Sequence, residues 1–323
     1  MQAEAQVRDA KGEWRPSPLP VPSPITNGPW KPGALLKHLW NLIWPYNFIY
    51  AAMAFAVWLW LTPSAETTAR FRFDWIALLF LRNAALLTVV AGALHLRMYI
   101  RRSQGINYKY SDKWLTTKDR KFTFGNQTRD NVFWSLVSGC GIWTAYEALT
   151  LWLYSNGVIP AFDMRQHPVW AVLLTLGVIY FRYFHFYWVH RLIHWKPLYK
   201  PVHALHHRNI NIGPWSGLSM HPLEHIVYFS GVLIHWIVPS SPFHAIFNLL
   251  HAGISPAVGH LGFHRMVVDG DKGIGSDGYF HYLHHRLFTV NFGVEAMPLD
   301  WWFKTQHDGS PESLARIRGR LAS

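Results

Sequence analysis

Cysteine is almost absent from this sequence, since Cys140 is the only one among its 323 residues. A single thiol forms no disulfide within one chain, and it completes no cysteine-ligated zinc or iron–sulfur site. Cys140 lies inside an apolar run, where we interpret it as a small buried hydrophobic residue. A metal site built by this chain must therefore use nitrogen or oxygen ligands.

Charged side chains are missing or rare in four long apolar runs. Each run has about 20 residues or more, which is the length that crosses the hydrocarbon of a bilayer, and Trp and Tyr are frequent near the ends. The runs comprise residues 40–61, 75–99, 132–154 and 169–188. Buried core helices are the alternative, but four such runs favour an all-α integral membrane protein with about four transmembrane helices.

A further apolar stretch, residues 226–258, is interrupted by the sequence PSSP at 239–242. Two half-length helices separated by prolines are too short to span the membrane twice. They fit a re-entrant helical hairpin that enters the membrane and returns. Such a hairpin brings His260 back to the side of His190, whereas a full crossing would separate the two residues.

Acidic residues are outnumbered by basic ones, and the formal net charge is +12. Basic residues concentrate at 101–129, at 191–208 and at the C-terminus, while the segments 63–73 and 155–168 carry few charges. This alternation is the positive-inside pattern of membrane proteins. We therefore expect cytoplasmic termini, a cytoplasmic helical histidine-rich metal-binding cap and no nucleic-acid partner. The basic face would suit anionic lipid head groups or an acidic redox partner.

The first 37 residues are polar and proline-rich, and they lack the apolar stretch of a secretory signal. We expect a disordered or extended cytoplasmic leader over residues 1–37. Transmembrane helices 1 and 2 and a basic cytoplasmic segment are expected over 38–130. A histidine-rich domain is expected over 131–308, and a C-terminal tail on the membrane surface over 309–323.

Histidine, in contrast to cysteine, is abundant, and the chain has 20 of them. Ten fall into four clusters, in which spacings of three or four residues place the side chains on one face of a helix. A neutral imidazole is the commonest nitrogen ligand of iron, zinc and copper. The candidate metal ligands are His190, His194, His203, His206, His207, His260, His264, His281, His284 and His285.

Each cluster taken singly has an ordinary interpretation, such as a pair of interfacial histidines or a solvated helix face. The motif H-x-x-H-H, however, occurs at 203–207 and again at 281–285. Three adjacent imidazoles repel one another when protonated, and metal binding keeps them neutral. Ten imidazoles are too many for one ion, since zinc takes four ligands and octahedral metals about six. The sequence therefore predicts two metal ions, and the scarcity of carboxylates and thiolates favours iron.

Another motif, HPLEH at 221–225, carries His221, Glu224 and His225. Metal-bound imidazoles usually need a hydrogen-bond acceptor at the other ring nitrogen. We predict that these three residues support the metal ligands or line a substrate channel. The aromatic residues predicted for that channel are Tyr187, Trp188, Trp215 and Phe263.

The motifs YWVHRLIH, LYKPVHALHH, HPLEH, HLGFH and HYLHH, followed by NFG and PLDWWFKT, resemble the fatty acid hydroxylase and sterol desaturase superfamily. The resemblance covers roughly residues 130–308, which would form the catalytic domain, and it is greatest to the sterol-desaturase and methyl-oxidase branch. It implies an integral membrane enzyme that holds two iron ions on the ten histidines and uses O2 and external electrons. Because the sequence has no cytochrome b5-like domain, we expect a separate cytochrome b5-, ferredoxin- or rubredoxin-like electron donor.

These features together predict an oxygenase that hydroxylates or desaturates a C–H bond of a membrane lipid or sterol, with O2 as co-substrate. C-5 sterol desaturation is one alternative. A membrane di-zinc hydrolase would need a general base, for which Glu224 is the candidate, and a metal transporter would need polar groups along its spanning helices. Zinc can replace iron in the purified protein. We expect the protein in a bacterial inner membrane rather than in the endoplasmic reticulum.

Overall fold

The computed structural model describes residues 8–17, 19, 23–25, 30–270 and 272–322. Most of these residues are helical, as the apolar runs and the histidine spacings predict. The α-helices are α1 (Pro32–Ile43), α2 (Tyr46–Trp60), α3 (Ala65–Thr68), α4 (Phe73–His95), α5 (Gln127–Trp134), α6 (Cys140–Ser155), α7 (Pro168–Ile193), α8 (Lys196–Leu198), α9 (Ala204–His207), α10 (Pro222–Phe229), α11 (Pro242–Gly259), α12 (Tyr279–Leu287), α13 (Leu299–Trp302) and α14 (Pro311–Ala322). Short π-helical segments cover Leu96–Ile100, Ser135–Gly139 and Tyr199–His203, and 3₁₀ segments cover Pro214–Leu218 and Ser230–Trp236.

Two helices are long and apolar enough to cross a membrane, namely Phe73–Ile100, which is α4 with its π-helical extension, and α7. Helices α1 and α2 give a third candidate if they count as one broken span, with a bend of 42° between them. Pro45 lies at this bend and has no backbone N–H to continue the helical ladder. Large apolar side chains such as Val89 and Val172 are exposed on the candidate spans, as expected for a surface that contacts lipid.

The apolar run at 132–154 is not among the candidate spans. It folds as the end of α5, a π-helical segment and α6, and it carries the buried polar residues Ser138, Thr144 and Glu147. Glu147 forms a 2.5 Å ion pair with Arg82 of α4. These polar groups make the run less apolar than α4 or α7, so the described residues contain two or three candidate spans and the predicted four are not confirmed.

The stretch interrupted by PSSP forms two helical segments, as predicted. The first is α10 with its 3₁₀ continuation, and the second is α11, which begins with the side chain of Ser241 accepting a hydrogen bond from the backbone N–H of Phe243. Helix α11 is largely buried and packs against α2, α4, α6 and α7. It ends at Gly259, so His260 follows directly at its C-terminus. The position of this hairpin relative to a membrane stays a prediction.

A small antiparallel hairpin of β1 (Arg265–Asp269) and β2 (Lys272–Gly275) corrects the all-α expectation. The change from helix to strand occurs at Gly262, whose φ of +79° favours glycine. A Cβ at this position would lie 2.3 Å from the hydroxyl of Tyr99. The helical phase set by α11 is therefore lost before His264.

Residues 8–17 of the predicted leader pack on the rest of the protein. The backbone N–H of Trp14 donates to O of Tyr110 at 2.7 Å, and Trp14 is buried. Glu13 forms a 3.0 Å ion pair with Arg286 of α12. Helix α1 also begins at Pro32, inside the predicted leader, whereas residues 1–7, 18, 20–22 and 26–29 of the leader lie outside the described residues.

Candidate metal centre

Four segments bring nine of the ten predicted ligands together. The C-terminal end of α7 carries two histidines, the π-helical segment Tyr199–His203 with α9 carries three, α12 carries three, and one follows α11. The spacings of three and four residues place the histidines of each segment on one helix face. The nine side chains form two separate groups.

The first group has five members, which we call the five-histidine group: His190, His194, His203, His207 and His284. Their candidate ligand atoms all lie within 4.8 Å of one another. Nε2 of His190 is 3.1 Å from Nε2 of His203, and Nε2 of His284 is 3.0 Å from Nε2 of His207. Two nitrogens bound at about 2.1 Å to one ion and about 90° apart would be separated by about 3.0 Å. The observed separations therefore fit ligands of a shared ion.

The second group, the four-histidine group, comprises His206, His260, His281 and His285. Nε2 of His260 lies 3.1 Å from Nε2 of His281 and 3.2 Å from Nε2 of His285. The ring centroids of His207 and His285, one from each group, are 4.8 Å apart. The two groups therefore adjoin, as a two-metal site requires.

Backbone carbonyls orient several of these rings from behind. Nδ1 of His190 donates to O of Phe292 at 2.6 Å, and Nδ1 of His284 donates to O of Val290 at 2.6 Å. Because a carbonyl only accepts, the proton lies on Nδ1 and the lone pair lies on Nε2. These Nε2 lone pairs point at ring nitrogens about 3 Å away, that of His190 at Nε2 of His203 and that of His284 at Nε2 of His207. A cation bound between them accounts for this arrangement.

Burial keeps the imidazoles neutral. It lowers the pKa of His206 to about 4, and burial together with the neighbouring His206 lowers the pKa of His194 to about 3. A neutral imidazole binds a metal without first losing a proton. The five-histidine group also exceeds the four ligands that zinc usually takes. The five-histidine group therefore fits a first-row transition-metal ion with more than tetrahedral coordination, whereas the four-histidine group supplies four ligands.

Glu224 is the residue of the HPLEH motif that reaches the histidine groups. Its Oε1 lies 2.7 Å from Nδ1 of His203, and both side chains are buried. An acceptor at Nδ1 directs Nε2 of His203 towards the site, so the predicted supporting role fits the position of Glu224.

His225 and His221 contact other parts of the chain. Nδ1 of His225 is 2.9 Å from Oγ of Ser138, and its Nε2 is 3.1 Å from O of Leu218. Nδ1 of His221 accepts a hydrogen bond from the backbone N–H of Leu223, which caps the start of α10. The two rings therefore shape the backbone around α10 and do not contact the nine grouped histidines.

The NFG and PLDWWFKT motifs form a support that we did not predict in this detail. The carboxylate of Asp300 accepts hydrogen bonds from the backbone N–H groups of Phe292 at 2.9 Å and Gly293 at 2.7 Å. The hydroxyl of Thr305 donates to the same carboxylate at 2.5 Å. Asp300 thereby fixes the backbone segment whose carbonyls orient two histidines of the five-histidine group. The sequence did contain a signal for this role, because Asp300 is an acidic residue placed between a leucine and two tryptophans.

The structure does not bring His264 to the other nine predicted ligands. Its ring centroid lies 5.3 Å from that of Trp14, and its backbone N–H donates to O of Tyr108 at 2.8 Å. The positive φ at Gly262 turns the chain away from the direction of α11. His264 therefore lies beside the β-hairpin, outside both groups.

A cavity of about 920 Å³ opens onto both groups. Its volume lies within the range of roughly 300–1,000 Å³ that is typical of ligand pockets. The aromatic residues in its wall are Tyr46, Tyr50, Tyr183, Phe186, Tyr228 and Phe280. The four aromatic residues predicted for a channel are not in this wall, because their rings pack elsewhere; Tyr187, for example, packs against Leu299 and Phe292.

The candidate membrane spans and the two adjoining histidine groups are compatible with a membrane metalloprotein of the histidine-box type. Residues 174–305 match the family model of the fatty acid hydroxylases. This match agrees with the resemblance of the chain's motifs to the fatty acid hydroxylase and sterol desaturase superfamily. Members of this superfamily are oxygen-dependent oxidoreductases.

Curated relatives include two sterol desaturases and an aldehyde decarbonylase. The chain is 26% identical over 179 residues to a Delta(7)-sterol-C5(6)-desaturase of Nicotiana tabacum, which covers 54% of this chain and 65% of the relative. It is 31% identical over 166 residues to the Delta(7)-sterol 5(6)-desaturase erg3C of Aspergillus fumigatus, and this match covers 44% of this chain and 51% of the relative. It is 28% identical over 185 residues to the very-long-chain aldehyde decarbonylase GL1-7 of Oryza sativa subsp. japonica. This match covers 51% of this chain and 28% of the length of the relative.

The match thus spans between half and two thirds of the length of these sterol desaturases. No solved structure matches the chain.

Proposed function

We propose that this protein is a membrane-bound di-iron oxygenase that uses O2 and external electrons to hydroxylate or desaturate a C–H bond of a lipid or sterol. The observation that carries the proposal is that two adjoining groups of buried histidines open onto one large, mainly apolar cavity. The match of residues 174–305 to the fatty acid hydroxylase family model supports the reaction class. The names of the curated relatives support a lipid substrate, although they include more than one product type.

The nine grouped histidines would hold the two iron ions, five histidines on one ion and four on the other. Iron bound there supplies the one-electron and O2 chemistry that side chains cannot supply. The chain keeps the imidazoles neutral by burial and directs their Nε2 atoms inward through Glu224 and two backbone carbonyls. The cavity wall holds one carbon of the lipid beside the histidines, which is a contribution of proximity and orientation.

Glu224 is the candidate general base for the rival reaction, zinc-dependent hydrolysis. A hydrolase would need a free general base close to the metal-bound water. Oε1 of Glu224 is engaged by Nδ1 of His203 at 2.7 Å, while its Oε2 is buried with no hydrogen-bond partner among the described residues. This contact supports an orienting role for the carboxylate.

Membranes from cells that produce the wild-type protein or the His207→Ala variant, both loaded with iron, would test the proposal. With a chemical reductant and O2, the wild type is expected to convert a membrane lipid to a product with one additional oxygen or two fewer hydrogens, as measured by mass spectrometry. The product should be absent under argon and absent with the variant. Lipid turnover that proceeds equally well without O2 would contradict the proposal.

We also propose that the histidine groups face the cytoplasm and that a separate cytochrome b5-, ferredoxin- or rubredoxin-like protein supplies the electrons. The formal net charge of +12 supports an acidic donor. Reconstitution with each of the three donor types, followed by measurement of O2 uptake at low and high salt, tests this part. Electron transfer through an acidic donor should weaken as salt screens the charges.

A further inference from the structure

Arg182 is an unusual residue for its place in the fold. It lies in the candidate membrane span α7, and only 3% of its surface is exposed. Within the described residues, its guanidinium makes one hydrogen bond, from Nη1 to O of Tyr228 at 3.3 Å, and its Cζ lies 5.0 Å from the centroid of the Tyr228 ring. Its Nε is buried without a partner. A buried cation in a membrane span is costly unless an anion or several acceptors face it. Arg182 lines the cavity, so a ligand can supply that partner.

One face of α7 connects Arg182 with the histidines. Arg182, Phe186 and His190 follow one another at intervals of four residues, and all three line the cavity. The ring of Phe186 stacks on that of His190, with centroids 4.9 Å apart. The distance along the helix axis from Arg182 to His190 is about 12 Å. A molecule held at Arg182 can therefore lie along this face and reach the five-histidine group.

The cavity wall beside Arg182 offers a second donor. The hydroxyl oxygen of Tyr183 accepts a hydrogen bond from Nδ2 of Asn47 at 3.0 Å, which leaves the hydroxyl hydrogen of Tyr183 to donate. The amide oxygen of Asn47 lies 2.7 Å from Nε2 of His251 and is therefore already engaged. The hydroxyl hydrogen of Tyr183 can therefore donate to a hydrogen-bond acceptor on a ligand in the cavity.

The acidic groups of the cavity wall lie elsewhere. Glu224 is engaged with His203, while Asp277 and Glu295 belong to the segments before and after α12. None of the three forms an ion pair with Arg182, and the lysines in the cavity wall are exposed residues near the start of the chain. Among the described residues that line the cavity, Arg182 is therefore the positively charged side chain that is buried.

We propose that Arg182, assisted by Tyr183, binds the carboxylate of an amphiphilic substrate, whose alkyl part then lies along α7 towards the histidines. The planar guanidinium matches a carboxylate through two parallel hydrogen bonds. A phosphate dianion would bring two charges to one buried cation, which leaves a charge uncompensated. This inference rests on the proposed function, because it names the substrate class of the same cavity. It also places the oxidised carbon far from the carboxylate.

Binding measurements without turnover test the proposal. Hexadecanoic acid and its methyl ester are titrated into the full-length protein in nanodiscs of neutral lipid at a pH where the acid is ionised. The wild type should bind the acid at least ~10-fold more tightly than the ester, since hydrogen bonds to charged groups are the strong ones. Arg182→Gln should reduce this preference to within about twofold. Arg165→Gln, which removes an exposed arginine outside the cavity, should leave it unchanged.

Two further variants keep the test decisive if Arg182→Gln does not fold. Arg182→Lys retains the charge but loses the paired donors, and Tyr183→Phe removes one hydroxyl; each should lower the preference for the acid several-fold. Equal binding of acid and ester by the wild type, or an undiminished preference in the folded variants, would overturn the inference. The oxygenase proposal would survive that result, because it depends on O2-dependent product formation. Conversely, a preference for the acid without any O2-dependent product would contradict the proposed function only.

Discussion

The carboxylate of Glu224 and the imidazole of His203 form a buried hydrogen bond of 2.7 Å. Without this acceptor, the His203 ring loses the contact that sets its tautomer and direction. We expect Glu224→Ala to weaken iron binding about 10–100-fold and Glu224→Gln, which keeps an acceptor oxygen, to weaken it less. Iron retained per protein at increasing chelator concentration measures the effect.

His221→Ala is the matched control for these two variants. It removes a ring at the start of the same helix, where His221 accepts a hydrogen bond from a backbone N–H. Loss of a helix cap costs about 1 kcal/mol but leaves Nδ1 of His203 engaged. If Glu224→Ala held iron as tightly as His221→Ala, the orienting role of Glu224 would be excluded.

The two histidine groups predict a pattern of metal loss. His207→Ala removes a ligand from the five-histidine group, and His285→Ala removes one from the four-histidine group. Each variant should lose most of the metal from one group, so the iron content should fall from about two ions towards one, and activity should be lost in both. His264→Ala should keep the wild-type iron content, because the His264 ring packs against Trp14.

Elemental analysis of purified, folded protein measures these contents, and insertion into membranes serves as the control for folding. An iron content in His264→Ala as low as in His207→Ala would place His264 among the ligands after all.

The spacing of the histidines was sufficient to predict most of the candidate site. Residues three or four apart on a helix share a face whatever the rest of the fold does, so His190 with His194, and His281 with His284 and His285, could be placed together locally. The prolines around position 240 also indicated the break before α11. The convergence of four separate segments, in contrast, was predicted from the number of ligands, from the hairpin that returns His260 to the side of His190, and from the family resemblance, and not from a local rule.

The predictions that differed from the structure depended on tertiary contacts. The departure of His264 follows from the backbone at Gly262, where the close approach of Tyr99 requires glycine. The run at 132–154 was predicted to span the membrane because of its length. Its buried Glu147, however, forms an ion pair with Arg82 of another helix, which length alone does not reveal. Which aromatic rings line the cavity depends on how α2 and α7 pack, and periodicity carries no information on that.

Asp300 links the tryptophan-rich motif to the histidine groups, and its removal should loosen the five-histidine group. Asp300→Ala leaves the backbone N–H groups of Phe292 and Gly293 without their acceptor. We expect iron affinity to fall about 10-fold or more, with a loss of about 1–3 kcal/mol in the free energy of unfolding for each unsatisfied buried donor. Chelator competition and denaturant titration measure the two effects separately. Asp163→Ala, at an exposed loop position, should change neither quantity measurably.

The ion pair between Arg82 and Glu147 joins α4 to α6 in a buried setting. Glu147→Leu would leave the Arg82 guanidinium without its partner, and breaking one side of a buried pair costs about 3–5 kcal/mol. We expect the double variant Arg82→Met with Glu147→Leu to recover most of this loss, because it removes both charges. Unfolding midpoints in one detergent for the wild type, the two single variants and the double variant give the coupling energy. Additive losses in the double variant would show that the pair does not act as a unit.

Lys109 gives the protein a predicted pH dependence of stability. Its Nζ donates to O of Ser111 at 3.0 Å and O of Lys113 at 2.7 Å, and the side chain is buried. Burial lowers the pKa of Lys109 from 10.5 to about 7. Between pH 7 and about 10 the unfolded chain therefore binds more protons at this position than the folded protein does, so stability rises with pH. Lys109→Met lacks this contribution, and the difference in unfolding free energy, wild type minus variant, should grow by about 2 kcal/mol between pH 7 and pH 9.

Denaturant titrations at pH 6, 7, 8 and 9 measure this difference, which cancels the titration of all other groups that the two proteins share. Below pH 6 the difference should be constant, because Lys109 is then protonated in both states. Lys113→Met removes an exposed lysine nearby and should track the wild type throughout. A difference that stays flat up to pH 9 would mean that Lys109 keeps its proton in the folded protein, held by the two carbonyl oxygens.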